Sequence, residues 1–314
     1  MRVALALVLC GLLAAHGTRR KSLSPDGAIA ACVIGLLTFT NGNWGVSSTL
    51  LVFYLSSSRL TKYGHDRKVK LEDGHAEGGQ RDAIQVFSNG FTGAALSALY
   101  IVTCSDSVRS FMEEVFQGKR LLADCDGQWR TMLLVAYVSH YACCNADTWS
   151  SELGILAKRP PRLITAPWRS VPPGTNGGVT LMGLSASLGG GLAVGATMAL
   201  SFLAQSAFTP SIVATESGSQ WSMVLFWVAV GGVTGVFGSV LDSVFGATLQ
   251  MSLYDGDRKK VVDARKLRGR KKSDLRHISG VDVLDNNQVN FLSSLVTAVA
   301  AGMLYQLYVL SANT

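Results

Sequence analysis

Eight apolar runs, each ending in a polar or basic stretch, constrain this chain more than any other feature. They are Val3–Ala15, Gly27–Phe39, Gly45–Ser57, Ile84–Cys104, Thr131–Ala146, Gly178–Ala204, Trp221–Gln250 and Val289–Leu310. A full membrane span takes about 20 residues at about 1.5 Å rise each. The second and third runs are too short alone. The Asn41-Gly42-Asn43 turn between them reads as the tip of a tight helical hairpin, spanning or re-entrant. Only 16% of residues are charged, against about 25% in soluble domains. No polar stretch exceeds about 35 residues, which is short for an independent soluble fold. The expected architecture is all-α: a polytopic integral membrane helix bundle, one transmembrane domain over residues 1–314. Residues 1–17 are either a first span or a cleaved signal peptide.

The basic residues then set direction. Arg19, Arg20 and Lys21 follow the first run, and Arg59, Lys62, Arg67, Lys68, Lys70 and Arg81 follow the third. Lys158, Arg159, Arg162 and Arg169 follow the fifth; Arg258–Arg276 follows the seventh. These are alternate connections, so they share one side, read as the cytosol, with both termini opposite. Residues 251–285 read as a basic cytosolic loop touching anionic lipid. The net charge of +7 is therefore a topology signal, and nucleic acid is not expected as a partner. Membrane lipid is. The cysteines show no metal spacing. Cys104 and Cys125 flank one outside loop, where they can pair.

Acids and amides recur where the runs meet the basic side. Asp242 lies inside the seventh run, in Gly238-Ser239-Val240-Leu241-Asp242, about 20 residues down from the outside. An acid there either hydrogen-bonds a neighbouring helix or belongs to a site. Asn145-Ala146-Asp147-Thr148-Trp149-Ser150-Ser151-Glu152 ends the fifth run at the same depth. Carboxylates amid hydroxyls suit a hard cation such as Mg²⁺, completed by phosphate oxygens; the alternative is a capped helix end. Gly174-Thr175-Asn176-Gly177-Gly178 opens the sixth run, and backbone N–H groups at a helix start can cradle phosphate. This run lacks the Gly-Lys-Ser/Thr ending of a P-loop. Lys62, Arg81 and Arg162 are candidate phosphate clamps or plain topology residues. Asn89 follows Arg81 into the fourth run. Asp285, Asn286 and Asn290 open the eighth, where Asp285 either caps the helix or joins the site.

These motifs together resemble the transmembrane protein 19 family. The stretches are Tyr54–Lys62 (YLSSSRLTK), Glu77–Arg81 (EGGQR), Gln85–Gly90 (QVFSNG), Ala146–Glu152 (ADTWSSE), Pro161–Thr165 (PRLIT), Val171–Thr180 (VPPGTNGGVT), Gly238–Gln250, Arg276–Gly280 (RHISG) and Leu284–Asn290 (LDNNQVN). Ser88 and Asn145 depart from the family pattern. The wider family includes a plant phytyl-phosphate kinase, so the resemblance implies phosphoryl transfer from a nucleoside triphosphate, CTP or ATP, to an isoprenoid phosphate. On that implication Asp147, Glu152 and Asp242 hold Mg²⁺. Lys62, Arg81 and Arg162 neutralise phosphates, and Asn89, Gly174–Gly178, Ser239, Asp285, Asn286 and Asn290 line the substrate site. The expected location is the endoplasmic reticulum or another endomembrane; nothing at the amino terminus supports a plastid. The competing reading is a transporter or lipid flippase, which would put its polar groups near the midplane.

Overall fold

The computed structural model describes residues 2–71, 79–115, 125–208, 219–263, 265, 267, 271 and 274–312. Each apolar run becomes a helix. In chain order these are α1 (Arg2–Arg19), α2 (Pro25–Phe39), α3 (Trp44–Lys62), the short α4 (His65–Lys68), α5 (Ala83–Cys104), α6 (Asp106–Val115), α7 (Gly127–Gly154), α8 (Leu181–Phe208), α9 (Gln220–Leu249) and α10 (Asn286–Ala312). Among the described residues α5, α8, α9 and α10 are long and apolar enough to cross a membrane. Several starts are capped locally. Ser24 accepts from the Gly27 N–H, Asp82 from Gln85 and Asp126 from Trp129, which satisfies donors that a helix start leaves open.

The bundle is inside-out relative to a soluble protein. Ile29, Leu200, Leu225, Val233, Met303 and Leu307 face outward, as lipid contact requires. At the centre runs α7, packed against α3, α5, α8, α9 and α10. Val138, His140, Tyr141 and Asn145 along it are fully enclosed. This is why α7 tolerates polar residues that a lipid-facing helix would not.

The second and third runs fold as expected into helices joined by a turn at residues 40–43. Asn41 Nδ2 donates to Ser97 Oγ on α5 at 3.1 Å, and Asn43 Oδ1 caps α3. The Trp44 N–H donates to Gln205 Oε1 on α8 at 3.0 Å. At this same end Cys104 and Cys125 form a disulfide, the pairing the sequence suggested.

The basic connections gather at the opposite end, as the charge pattern predicts. Two of them are more than connections. Arg162–Leu163 (β1), Ala166–Ser170 (β2) and Gly178–Val179 (β3) form an antiparallel sheet in the order β2-β1-β3. Ser252–Asp255 (β4), Lys260–Asp263 (β5) and Arg276–Ser279 (β6) form another in the order β5-β4-β6. The reading of residues 251–285 as a plain basic loop is thus corrected. Leu163, Val171, Val261 and Ile278 pack the sheets together under Ala247 at the end of α9. The Arg265–Arg276 run falls partly outside the described residues, as does the Glu77-Gly78 part of the Glu77–Arg81 motif.

Candidate functional site: a carboxylate pair at the basic end of the bundle

Asp147 and Asp242 come together from α7 and α9 at the basic end of the bundle, close enough for each charge to act on the other. Ser239 Oγ, one turn from Asp242, donates to Asp147 Oδ1 at 3.4 Å. Ser293 Oγ on α10 donates to Asp242 Oδ2 at 2.8 Å. With the Asn290 amide turned so that its nitrogen faces the carboxylate, it donates to the same oxygen at 3.2 Å; hydrogen bonding decides that orientation. Among the described residues neither carboxylate has a cationic partner. Two like charges in a partly enclosed site then need a proton or a bound cation between them. Paired carboxylate oxygens fit Mg²⁺, which takes one or two such ligands and leaves the rest of its shell to phosphate or water. Ser293 escaped the sequence reading; its spacing of three from Asn290 on one helix face was the available signal.

Glu152 does not join this pair. It sits on another face of α7, where Lys68 Nζ donates to its Oε2 at 2.5 Å. Lys68 also donates to the Leu60 carbonyl at 2.9 Å. Among the described residues no three acids, histidines or cysteines converge on a metal position. The expected three-carboxylate set is therefore two carboxylates plus a separate ion pair. Asn145 lies on the Glu152 side: its Oδ1 accepts from Ser56 at 2.9 Å and Ser57 at 3.2 Å, and its Nδ2 donates to the Gly190 carbonyl at 2.9 Å. Trp149 Nε1 donates to Ser56 Oγ at 3.2 Å, which ties α7 to α3.

The expected phosphate cradle is also rearranged. Residues 174–178 precede α8 as a turn and the start of β3. The Thr175 N–H donates to the Pro172 carbonyl, the Gly178 N–H to the Thr175 carbonyl and the Asn176 N–H to Ser252 Oγ. Those donors are occupied within the protein and do not form an open nest. Gly174 and Gly177 have φ values of +86° and +73°, a left-handed backbone that explains glycine there. Gly177 also lies so close to Ser243 and Ala247 on α9 that no side chain fits. The loop's role is to lock the first sheet onto the carboxylate-bearing helix.

The expected clamps divide. Lys62 Nζ donates to the Arg20 carbonyl at 2.5 Å, closing the end of α1. Arg162 Nη1 donates to the Pro167 carbonyl at 2.8 Å within the first sheet. Arg81 is different: it lines a partly open apolar slot between α1, α2, α3 and α5. Asn89 lines the same slot and its carbonyl accepts from His140 Nε2 at 3.1 Å. Asp285 caps α10 reciprocally: its Oδ1 accepts from the Gln288 N–H and its own N–H donates to Gln288 Oε1, both at 2.9 Å. Arg265 Nη1 holds its other oxygen at 3.2 Å. Asn286 is the first residue of α10 and its carbonyl accepts from the turned Asn290 amide.

Residues 8–298 match the family described as Integral membrane protein DUF92. The Arabidopsis thaliana protein named Protein PGR is 39% identical over 95% of this chain and 94% of its own length. An uncharacterized membrane protein of Synechocystis is 27% identical over 74% of this chain and 73% of its own. A Methanocaldococcus jannaschii membrane protein shares 44% identity over 20% of this chain and 26% of its own. No solved structure matches the chain.

Proposed function

The chain belongs to the DUF92 family of integral membrane proteins, and from that premise we propose that it is a phosphotransferase acting on a lipid phosphate at the cytosolic boundary of an endomembrane. The donor is a nucleoside triphosphate and the acceptor an isoprenoid, phytyl-like monophosphate, as the resemblance to the transmembrane protein 19 family implies. The observation that carries the reading is the Asp147–Asp242 pair. Two carboxylates with no cationic partner among the described residues stand at the end where the basic residues collect, one layer of side chains from an apolar slot.

The chemistry asks little of the protein beyond placement. A terminal oxygen of the lipid phosphate attacks the γ-phosphorus of the nucleotide. The bond from that phosphorus to the β,γ-bridging oxygen breaks, and the nucleoside diphosphate leaves with the electron pair. A phosphate oxygen is already nucleophilic, so no strong base is needed, and positioning with charge neutralisation suffices. Mg²⁺ on Asp147 and Asp242 would supply that neutralisation. Ser239, Ser293 and Asn290 hold the carboxylates in place, and Arg81 faces the acceptor.

A transporter is favoured less. The carboxylate pair and the basic residues sit at one end, whereas the polar groups of the opposite end are paired with one another in the Asn41–Ser97 and Gln205–Trp44 contacts. The deciding experiment incubates purified protein with Mg²⁺, ATP or CTP, and a panel of prenyl monophosphates, with products read by mass spectrometry. Diphosphate product is expected, disappearing with EDTA. Asp147→Asn and Asp242→Asn are each expected to lower turnover about 100-fold or more while remaining folded. Full turnover in both variants would remove the carboxylate pair from the mechanism.

A further inference from the structure

The slot between α1, α2, α3 and α5 has two unlike ends. Leu13, Ile34, Phe39, Leu50, Phe53 and Val86 give it apolar walls, and Arg81 stands at its basic end with Tyr54 and Gln85. Arg81 is fixed by its backbone. Its N–H donates to the Ser22 carbonyl at 3.0 Å, and its own carbonyl accepts from the Ser24 N–H at 3.0 Å and Ser24 Oγ at 3.2 Å. The carbonyl lies so near Gly27 that no side chain fits between. The backbone at Arg81 is thus held in place at the mouth of the slot. Of the five N–H donors an arginine carries, one meets Ser58 Oγ at 3.1 Å. Among the described residues no carboxylate pairs with it. Glu152 attracts it from a distance while being held by Lys68.

A charged fork with open donors at the end of an apolar slot calls for an amphiphile with an anionic head. The slot is partly open along its length, so an extended chain can lie in it without being wholly enclosed. Lys62, one helical turn beyond Ser58, is committed to the Arg20 carbonyl, which leaves Arg81 as the cation on the slot wall.

We propose that this slot seats a single-chain lipid whose phosphate monoester is gripped by Arg81. The choice of phosphate head rests on the phosphotransfer reading above; the slot itself does not. The seat lies one layer from the carboxylate pair. The Asn89 carbonyl accepts from Cys144 Sγ at 3.7 Å, and both Asp147 and Asp242 act electrostatically on Cys144.

The test measures equilibrium binding of radiolabelled geranylgeranyl monophosphate to the purified full chain, with competition by geranylgeraniol, oleate and dioleoyl phosphatidic acid. Saturable binding is expected, with each competitor at least tenfold weaker than the unlabelled monophosphate. Arg81→Gln should weaken binding at least tenfold and Arg81→Lys by less. Ala31→Trp, which fills the slot, should abolish it. Should Arg81→Gln fail to fold, Arg81→Lys and Ala31→Trp decide. Undiminished binding to folded Ala31→Trp, or equal binding of phosphatidic acid, overturns the seat. Oleate binding as tightly as the monophosphate overturns the phosphate head. Asp242→Asn should bind normally yet not turn over. Binding without transfer from any nucleotide leaves the seat standing and removes the function; transfer with an unchanged KM in Ala31→Trp does the reverse.

Discussion

Lys68 has none of its side chain exposed, and its Nζ donates to Glu152 and to the Leu60 carbonyl. Removing one member of a buried pair strands the other, at a cost of about 3–5 kcal/mol. Lys68→Met is therefore expected to destabilise the protein, by less than that full cost because Glu152 keeps other interactions. The double variant Lys68→Met/Glu152→Met should recover most of the loss, because no bare charge remains. Thermal unfolding in detergent measures both, and an unaltered midpoint in Lys68→Met would show that the pair is not structural. At this scale, what the sequence revealed depended on contrast. Asp242 stands out as an acid inside an apolar run, and Asp147 as its counterpart at equal depth. Lys68 sits among other basic residues and its partner is 84 positions away, so nothing local distinguishes it from a topology lysine. Glu152 was misplaced for the same reason: its charge was visible and its partner was not.

Between elements, α8 and α9 approach closely. Gly191 and Gly195 face Gly231 and Gly235, so near that a side chain at Gly191 or Gly195 would meet the backbone of the other helix. Without a hydrophobic force between helices in lipid, such small-residue seams let dispersion and packing hold them together. This seam also fixes the depth of Ser239 and Asp242, which lie one to two turns further along α9. Gly195→Val is expected to cost about 1–3 kcal/mol by overpacking and to lower transfer activity. Gly189→Ala is the control: its added methyl would make only ordinary contact with Trp149, so stability should hold or rise slightly. An equal loss in both variants would argue for a general helix effect rather than the seam. The helices themselves were legible because long apolar runs admit few alternatives in a bilayer. The two sheets were not. Their strands are two to five residues long, too short for alternation to register against a strong basic signal. Gly174–Gly178 misled in a related way, since glycine marks close approach of backbone to backbone as readily as to phosphate.

The whole molecule is polarised, and two independent signals give the same polarity. The basic residues, both sheets and the carboxylate pair share one end, which the positive-inside rule assigns to the cytosol. The Cys104–Cys125 disulfide lies at the other end, and disulfides persist in oxidising compartments such as the secretory lumen. A nucleoside triphosphate is available on the basic side, where the proposed chemistry needs it. The polarity is testable with single added cysteines at exposed positions. Ser170 lies on β2 and Gly256 in the turn after β4, both exposed, while Gly127 is exposed at the start of α7 near the disulfide. In sealed microsomes, a membrane-impermeant maleimide applied outside should label Ser170→Cys and Gly256→Cys. It should label Gly127→Cys only after detergent opens the vesicle. Labelling of Gly127→Cys in intact vesicles, with Ser170→Cys protected, would invert the molecule. It would leave the carboxylate pair facing a lumen with the wrong supply of nucleotide, and the phosphotransfer reading would fall with the orientation.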